Sequence, residues 1–286
     1  MELTVKSLSK SYGSVKALDS FQYSFTEGIY GLLGPNGAGK STLMNILTAN
    51  LKPSEGCVQF DGQDIFDMGR AYRKLLGYMP QQQGVYSGYT LERFLFYMSV
   101  LKGIPRKEAE RSVSEIVERV RLSDCLHRRL GEFSGGMKQR ALIAQALLGN
   151  PRIIILDEPT AGLDPRERIN VRNLIAEVAF DRIVLIATHV VTDISFVAKE
   201  VLLMKKGTVI DAGRPIDLCE RKRGKVYELA LSREMFEKVR DSYRISSIRE
   251  EMDTVFVKVI ADTPPQELHA KVANPDLEDV YLYHFD

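Results

Sequence analysis

Residues Gly34-Pro35-Asn36-Gly37-Ala38-Gly39-Lys40-Ser41-Thr42 have the spacing of a phosphate-binding loop, G-x-x-x-x-G-K-[ST]. That chemistry needs these residue types. The glycines let backbone N–H groups turn inward around phosphate oxygens, Lys40 reaches the β and γ phosphates, and Ser41 offers a hydroxyl to Mg2+. A second cluster lies far downstream, where the apolar run Ile153-Ile154-Ile155-Leu156 ends in Asp157-Glu158. Carboxylates at the C-terminal end of a buried strand lie where α/β sheets bind ligands. Asp157 is expected to hold Mg2+ opposite Ser41, directly or through water, and Glu158 to polarise an attacking water. Between the two clusters, Phe133-Ser134-Gly135-Gly136-Met137 opens a helical run. It reads either as an anion-binding helix N-terminus or as an ordinary serine cap.

These groups need a frame. Gly28 to Leu33 is a short apolar strand, and Ser41 to Ala49 is a helix whose N-terminus points at the phosphates. The run between Pro151 and Pro159 is long and apolar enough to be buried on both faces of a parallel sheet. Periodicity predicts strands near 2–8, 28–33, 57–60, 75–79, 153–157, 182–188, 200–205 and 208–211. Helices are expected near 40–49, 91–102, 106–121, 136–148, 165–179 and 214–222. The stretch from about 82 to 150 is almost purely helical, so it reads as a helical subdomain inserted into a sheet domain, with Ser134-Gly135-Gly136 near its end.

The order and spacing of these three motifs resemble the nucleotide-binding subunit of an ATP-binding cassette (ABC) transporter, over about residues 1–220. The resemblance implies an α/β P-loop NTPase cassette with a mixed sheet core and an inserted helical subdomain. It implies further roles. Tyr12 resembles the aromatic that stacks on adenine, and Gln81 the glutamine that touches Mg2+ and the attacking water. Asp164, in Ala161-Gly162-Leu163-Asp164-Pro165, resembles part of the loop that crosses the dimer interface, and His189 the switch histidine at the γ phosphate. ATP and Mg2+ are the implied cofactors. The implied partners are a transmembrane permease and a second cassette, whose Ser134, Gly135 and Gly136 would close over the γ phosphate. The chain departs from the usual Leu-Ser-Gly-Gly-Gln signature at Phe133 and Met137. That change removes a side-chain amide at 137.

The composition agrees. The 286 residues are 44% hydrophobic, enough for a sizeable core, and the net charge of +1 argues against bulk nucleic-acid binding. No apolar run approaches the ~20 residues of a membrane-spanning helix, and Met1-Glu2-Leu3-Thr4 lacks the basic start of a signal peptide. Cys57, Cys125 and Cys219 lie far apart in no metal spacing, which fits a reducing compartment. The expected place is the cytoplasmic face of the membrane, bound peripherally to a permease. A charged linker at Glu220–Lys225 suggests a boundary, with a small α+β domain at 225–286. That tail carries 8 basic and 13 acidic residues, against 31 and 25 before it. It is expected to run strand, helix (234–240), two strands, helix (265–271) and a terminal helix from Asp276. Its Leu277-Glu278-Asp279-Val280 resembles the ending common in export-type cassettes. Three function classes are open: exporter ATPase, importer ATPase, and a non-transport ABC ATPase. The third is disfavoured by the lack of a second cassette or a long coiled coil in this chain, and the signature and acidic tail tilt the balance towards export.

Overall fold

A computed structural model describes residues 1–81, 84–265 and 268–285, in two compact units, Met1–Ile210 and Asp211–Asp286. The first holds two sheets. One is antiparallel, in the order β2-β1-β4-β5, from β1 (Leu3–Tyr12), β2 (Val15–Phe25), β4 (Glu55–Phe60) and β5 (Gln63–Asp64). The other has six strands in the order β10-β9-β3-β8-β7-β6. They are β3 (Gly28–Leu33), β6 (Leu76–Met79), β7 (Ile153–Asp157), β8 (Ile183–Ala187), β9 (Glu200–Lys205) and β10 (Thr208–Gly213). From β9 through β3, β8 and β7 to β6 the pairings are parallel. Every residue of β7 and β8 is buried, as expected of apolar runs covered on both faces.

The helices are α1 (Lys40–Leu47), α2 (Ile65–Met68), α3 (Arg70–Lys74), α4 (Leu91–Leu101), α5 (Arg106–Arg119), α6 (Gly135–Leu147), α7 (Pro165–Val178) and α8 (Val191–Ser195). On α5, Ala109, Val113, Ile116 and Val117 form one buried stripe at helical spacing. The helical subdomain is α4 to α6, and it is joined tightly to β6. Gly77 lies where a side chain would come 2.2 Å from the Ala146 carbonyl oxygen. Gln145 Nε2 donates to Tyr78 O at 2.7 Å. Lys102 Nζ donates to Ala146 O (3.2 Å) and Leu148 O (2.9 Å), a cation on carbonyls at the end of α6. The strand leading to Gln81 is therefore bonded directly to the helix that begins behind Ser134. Gly77→Ala should cost about 2 kcal/mol, because backbone rather than a flexible side chain must yield. Urea unfolding followed by circular dichroism measures it.

Two sequence expectations need correction in this unit. β2 was not anticipated, and β1 runs four residues past its expected end. The reason lies in the ladder between them, which shifts register three times between Val5 and Ser11, with Ser7 and Ser20 in left-handed conformation. Bulges of this kind break the alternation by which a strand is recognised. The cassette expectation otherwise holds: an α/β core with an inserted helical subdomain.

The second unit holds α9 (Pro215–Glu220), β11 (Val226–Ser232), α10 (Arg233–Val239), β12 (Arg244–Glu251), β13 (Thr254–Ile260), β14 (Lys271–Val272) and α11 (Leu277–Phe285). The strands form one antiparallel sheet, β12-β13-β11-β14. Tyr227, Leu229 and Leu231 stand opposite Val259, Val257 and Val255 and make one core, with Phe236 of α10 against it. Lys258 Nζ reaches Asp276 (2.7 Å) and the buried Asp279 (2.5 Å), which fixes the start of α11. The division falls at Ile210–Asp211, ahead of the charged linker, and α9, with Leu218 buried, packs on α11 within the second unit. The expected helix at 265–271 is not continuous. Residues 266 and 267 lie outside the described residues, Leu268-His269 is a turn, and Lys271–Val272 pairs with Tyr227-Glu228 as a strand.

Candidate functional site

The parallel register sets four strand ends side by side. Leu32 of β3 is level with Ala187 of β8, Ala187 with Asp157 of β7, and Leu156 of β7 with Met79 of β6. The segments leaving these strands therefore emerge along one edge of the sheet: the loop Gly34–Thr42, then Thr188-His189, then Glu158, then Pro80-Gln81. This is the C-terminal edge, where α/β sheets take ligands.

In the loop, Pro35, Asn36 and Gly37 are exposed, while Gly34 and Ala38 are buried. Gly39 has φ 103° and serves as N-cap of α1 with no side-chain hydrogen bond. A side chain there would meet the Ala17 carbonyl oxygen of β2 at 2.5 Å, so only glycine fits. The start of α1 thus faces the loop without a competing side-chain acceptor, with Ser41 exposed and Thr42 half-buried on its first turn. Lys40 Nζ donates to Gly34 O (2.5 Å) and Pro35 O (3.1 Å), placing its amine across its own loop. Burial pulls the Lys40 pKa below the ordinary lysine value, and the Glu158 and Asp157 carboxylates oppose that pull.

The carboxylates differ. Glu158 is held on both oxygens. Oε1 accepts the His189 backbone N–H at 3.1 Å and lies 2.8 Å from His189 Nδ1, and Oε2 accepts the Thr188 hydroxyl at 3.2 Å. Its backbone is left-handed (φ 52°), uncommon for a non-glycine residue. Burial, then the neighbouring Glu158 charge, push the Asp157 pKa up to about 6, with Lys40 opposing. A raised carboxylate pKa means that native stability falls as pH climbs from about 4 to 6. Asp157→Asn removes that loss. Once screening at the open strand end is counted, the gain is on the order of 1 kcal/mol. Thermal melting without nucleotide should show Asp157→Asn stabilised at pH 8 and level with the parent near pH 4.

Among the remaining expected site residues, Ser134, Gly135, Gly136, Asp164 and Tyr12 have their contacts outside this cluster, while Gln81 follows β6 at the end of the same row. Ser134 accepts the Met137 N–H at 3.3 Å, so its hydroxyl serves as the cap of α6. Ser134 and Gly135 are exposed, and Gly136 is buried against Glu167 of α7. Asp164 caps α7, accepting the Glu167 N–H at 2.9 Å. Tyr12, at the end of β1, has half its surface open (51%) and Lys10 Nζ 5.6 Å from its ring. Gln81 is exposed just beyond β6. The sequence reading missed Thr188, which accepts the Val190 N–H (3.0 Å) as well as donating to Glu158. Its signal was a hydroxyl directly after five buried apolar residues. It also missed Glu167, although Asp164-Pro165-Arg166-Glu167 has the spacing of a capping box.

The comparisons with known proteins agree with this geometry. The model of the family described as ABC transporter matches residues 18–161. The chain is 36% identical over 234 residues to the uncharacterized ABC transporter ATP-binding protein YxlF of Bacillus subtilis (strain 168), covering 82% of this chain and 78% of that one. It is 34% identical over 228 residues to the bacitracin transport ATP-binding protein BcrA of Bacillus licheniformis, with 79% and 73% covered. The dimeric structure of MJ0796, a bacterial ABC transporter cassette, superposes with a TM-score of 0.66 at 25% identity, over 74% of this chain and 98% of that one. The family match, the relatives and the shared fold have one consistent explanation: the chain belongs to the ABC transporter family and is an ATPase subunit of such a transporter.

Proposed function

We propose that the chain powers export, with ATP bound at the loop Gly34–Thr42 and hydrolysed by water oriented by Glu158, His189 and Gln81. The observation that carries the reading is the convergence of four parallel strand ends, with Glu158 fixed by Thr188 and His189 beside the Lys40 loop. Lys40 exchanges the carbonyls of Gly34 and Pro35 for the β and γ phosphate oxygens. The N–H groups at the start of α1 donate to the same anion. Tyr12 offers an open ring face to adenine.

The oxygens present fit Mg2+. Asp157 is a buried carboxylate whose pKa is raised for lack of full compensation, and Ser41 adds a hydroxyl at the start of α1. Two protein oxygens plus phosphate make a normal Mg2+ set, with Gln81 within the same strand-end row. When bound, the ion neutralises phosphate charge as the γ phosphate leaves.

The site is incomplete in one chain, since Ser134 and Gly135 are exposed and capped only locally. A second cassette that presents these residues and Asp164 to the loop would complete it. The similarity to a dimeric cassette supports that arrangement. A permease would dock on the aromatic surface after β6. Tyr86 stacks on Tyr89 (5.1 Å) and meets Tyr97 edge-on (5.5 Å), Arg93 lies 4.2 Å over Tyr89, and Tyr86 and Tyr97 remain exposed. Gln82 and Gln83, at the start of that loop, lie outside the described residues. Among the described residues no helix is long and apolar enough to cross a membrane. Docking on a permease would place the chain peripherally, at the cytoplasmic face where ATP is supplied. The relative named Nod factor export ATP-binding protein I of Rhizobium meliloti, 31% identical over 227 residues, supports an export direction.

The test is coexpression with a candidate multi-helix permease, copurification, and flux in inside-out vesicles. ATP-driven accumulation inside those vesicles is expected. Depletion of solute from them would mean import, and failure to copurify would remove the permease from the reading.

A further inference from the structure

Two short segments leave the sheet side by side, residues 158–160 after β7 and 188–193 after β8. They are tied at both ends. At the near end Glu158 holds Thr188 and His189. At the far end the Thr160 hydroxyl donates to Asp193 Oδ2, with Thr160 2% and Asp193 5% exposed. The other Asp193 oxygen faces Arg168 Nε of α7 at 3.9 Å. Between the ties the second segment is bonded to itself, with Asp193 N–H donating to Val190 O and Val190 N–H to Thr188 Oγ1. Two chain segments crosslinked at both ends make a closed ring with little freedom, and His189 sits on it. A carboxylate is costly to bury, and here the Thr160 hydroxyl bonds one oxygen, while the other faces the Arg168 charge without a hydrogen bond.

We propose that Asp193 is a positioning residue for hydrolysis: through Thr160 and Arg168 it fixes the segment that aims His189 at Glu158. The inference rests on the reading of Glu158 and His189 as the pair that orients water. Asp193 lies outside the loop Gly34–Thr42, so its loss should slow turnover without weakening ATP binding.

The experiment measures kcat and KM for ATP in the full chain carrying Asp193→Ala, Asp193→Asn, His189→Ala and the double variant Asp193→Ala/His189→Ala. Misaiming a reacting group by about 1 Å costs on the order of 100-fold, so Asp193→Ala should lose about 10- to 100-fold in kcat at unchanged KM. Asp193→Asn keeps an oxygen for the Thr160 hydroxyl and should retain most of the rate. In the His189→Ala background, Asp193→Ala should cost nothing further, because its effect passes through the missing ring. Full additivity in the double variant would overturn the inference and leave the role of His189 standing. A parent-like rate for His189→Ala would instead remove the hydrolytic pair itself. A lower melting temperature with unchanged kcat would mark Asp193 as structural only. Should Asp193→Ala prove insoluble, Thr160→Val removes the same hydrogen bond at constant shape and is read in the same cycle.

Discussion

Replacing Glu158 with Gln should leave ATP bound and turnover at least ~100-fold down, the usual contribution of a positioned general base. The substitution is chosen to change one property. Gln has the same shape and tolerates the same left-handed backbone at φ 52°. Its carbonyl oxygen still accepts a hydrogen bond, so the contacts with the His189 N–H or the Thr188 hydroxyl persist in part. The negative charge disappears, and with it the ability to accept a proton from water. The loop Gly34–Thr42 does not use the Glu158 side chain, so equilibrium ATP affinity should match the parent. Lys40 loses one of two attractive carboxylates, but Asp157 remains. Because ATP binds and is not cleaved, pairs of cassettes held by ATP should accumulate on sizing columns. Single-turnover hydrolysis and calorimetry read the two halves separately. A parent-like rate constant would assign the water to another residue.

How much was legible in the sequence depends on where each signal is stored. β7 and β8 are unbroken apolar runs, and a strand buried on both faces leaves that mark locally. The loop Gly34–Thr42 was legible because each residue type is dictated by a contact it makes on its own, such as Gly39 under the Ala17 carbonyl. β2 was not legible. Its buried residues Leu18, Phe21 and Phe25 are spaced by three and four, since bulges against β1 re-aim the side chains, and no period of two survives. The division between the two units at Ile210–Asp211 was illegible for a different reason. A run of charges at 220–225 is visible in the sequence, but the packing of α9 on α11 joins residues some 60 positions apart and leaves no local trace. The candidate site divides the same way. Asp157-Glu158 and His189 could be picked out singly, yet their adjacency is a fact of strand order, β3-β8-β7-β6, which no motif encodes. Thr188, Thr160 and Asp193 are ordinary polar residues in sequence. Only pairing across β7 and β8 gives them partners.

Lys40→Ala should fail one step earlier than Glu158→Gln, at binding. The Lys40 amine is the basic side chain placed on the loop itself, bonded to the carbonyls of Gly34 and Pro35. Hydrogen bonds to a charged group contribute about 1.5–3 kcal/mol, so losing the ammonium on phosphate should weaken ATP about 10- to 100-fold. Turnover should then fall below detection, because the same charge is needed as the γ phosphate departs. The fold should survive. Burial already disfavours the Lys40 ammonium, so removing it relieves desolvation. The two carbonyls that lose their donor lie on a loop open to water at Pro35–Gly37. Melting curves near the parent's, with ATP affinity lost by calorimetry, are the expected pair of results. Set beside Glu158→Gln, the two variants separate the roles: one binds without cleaving, the other does neither. Unchanged ATP affinity in Lys40→Ala would remove the loop from the site, whatever the turnover.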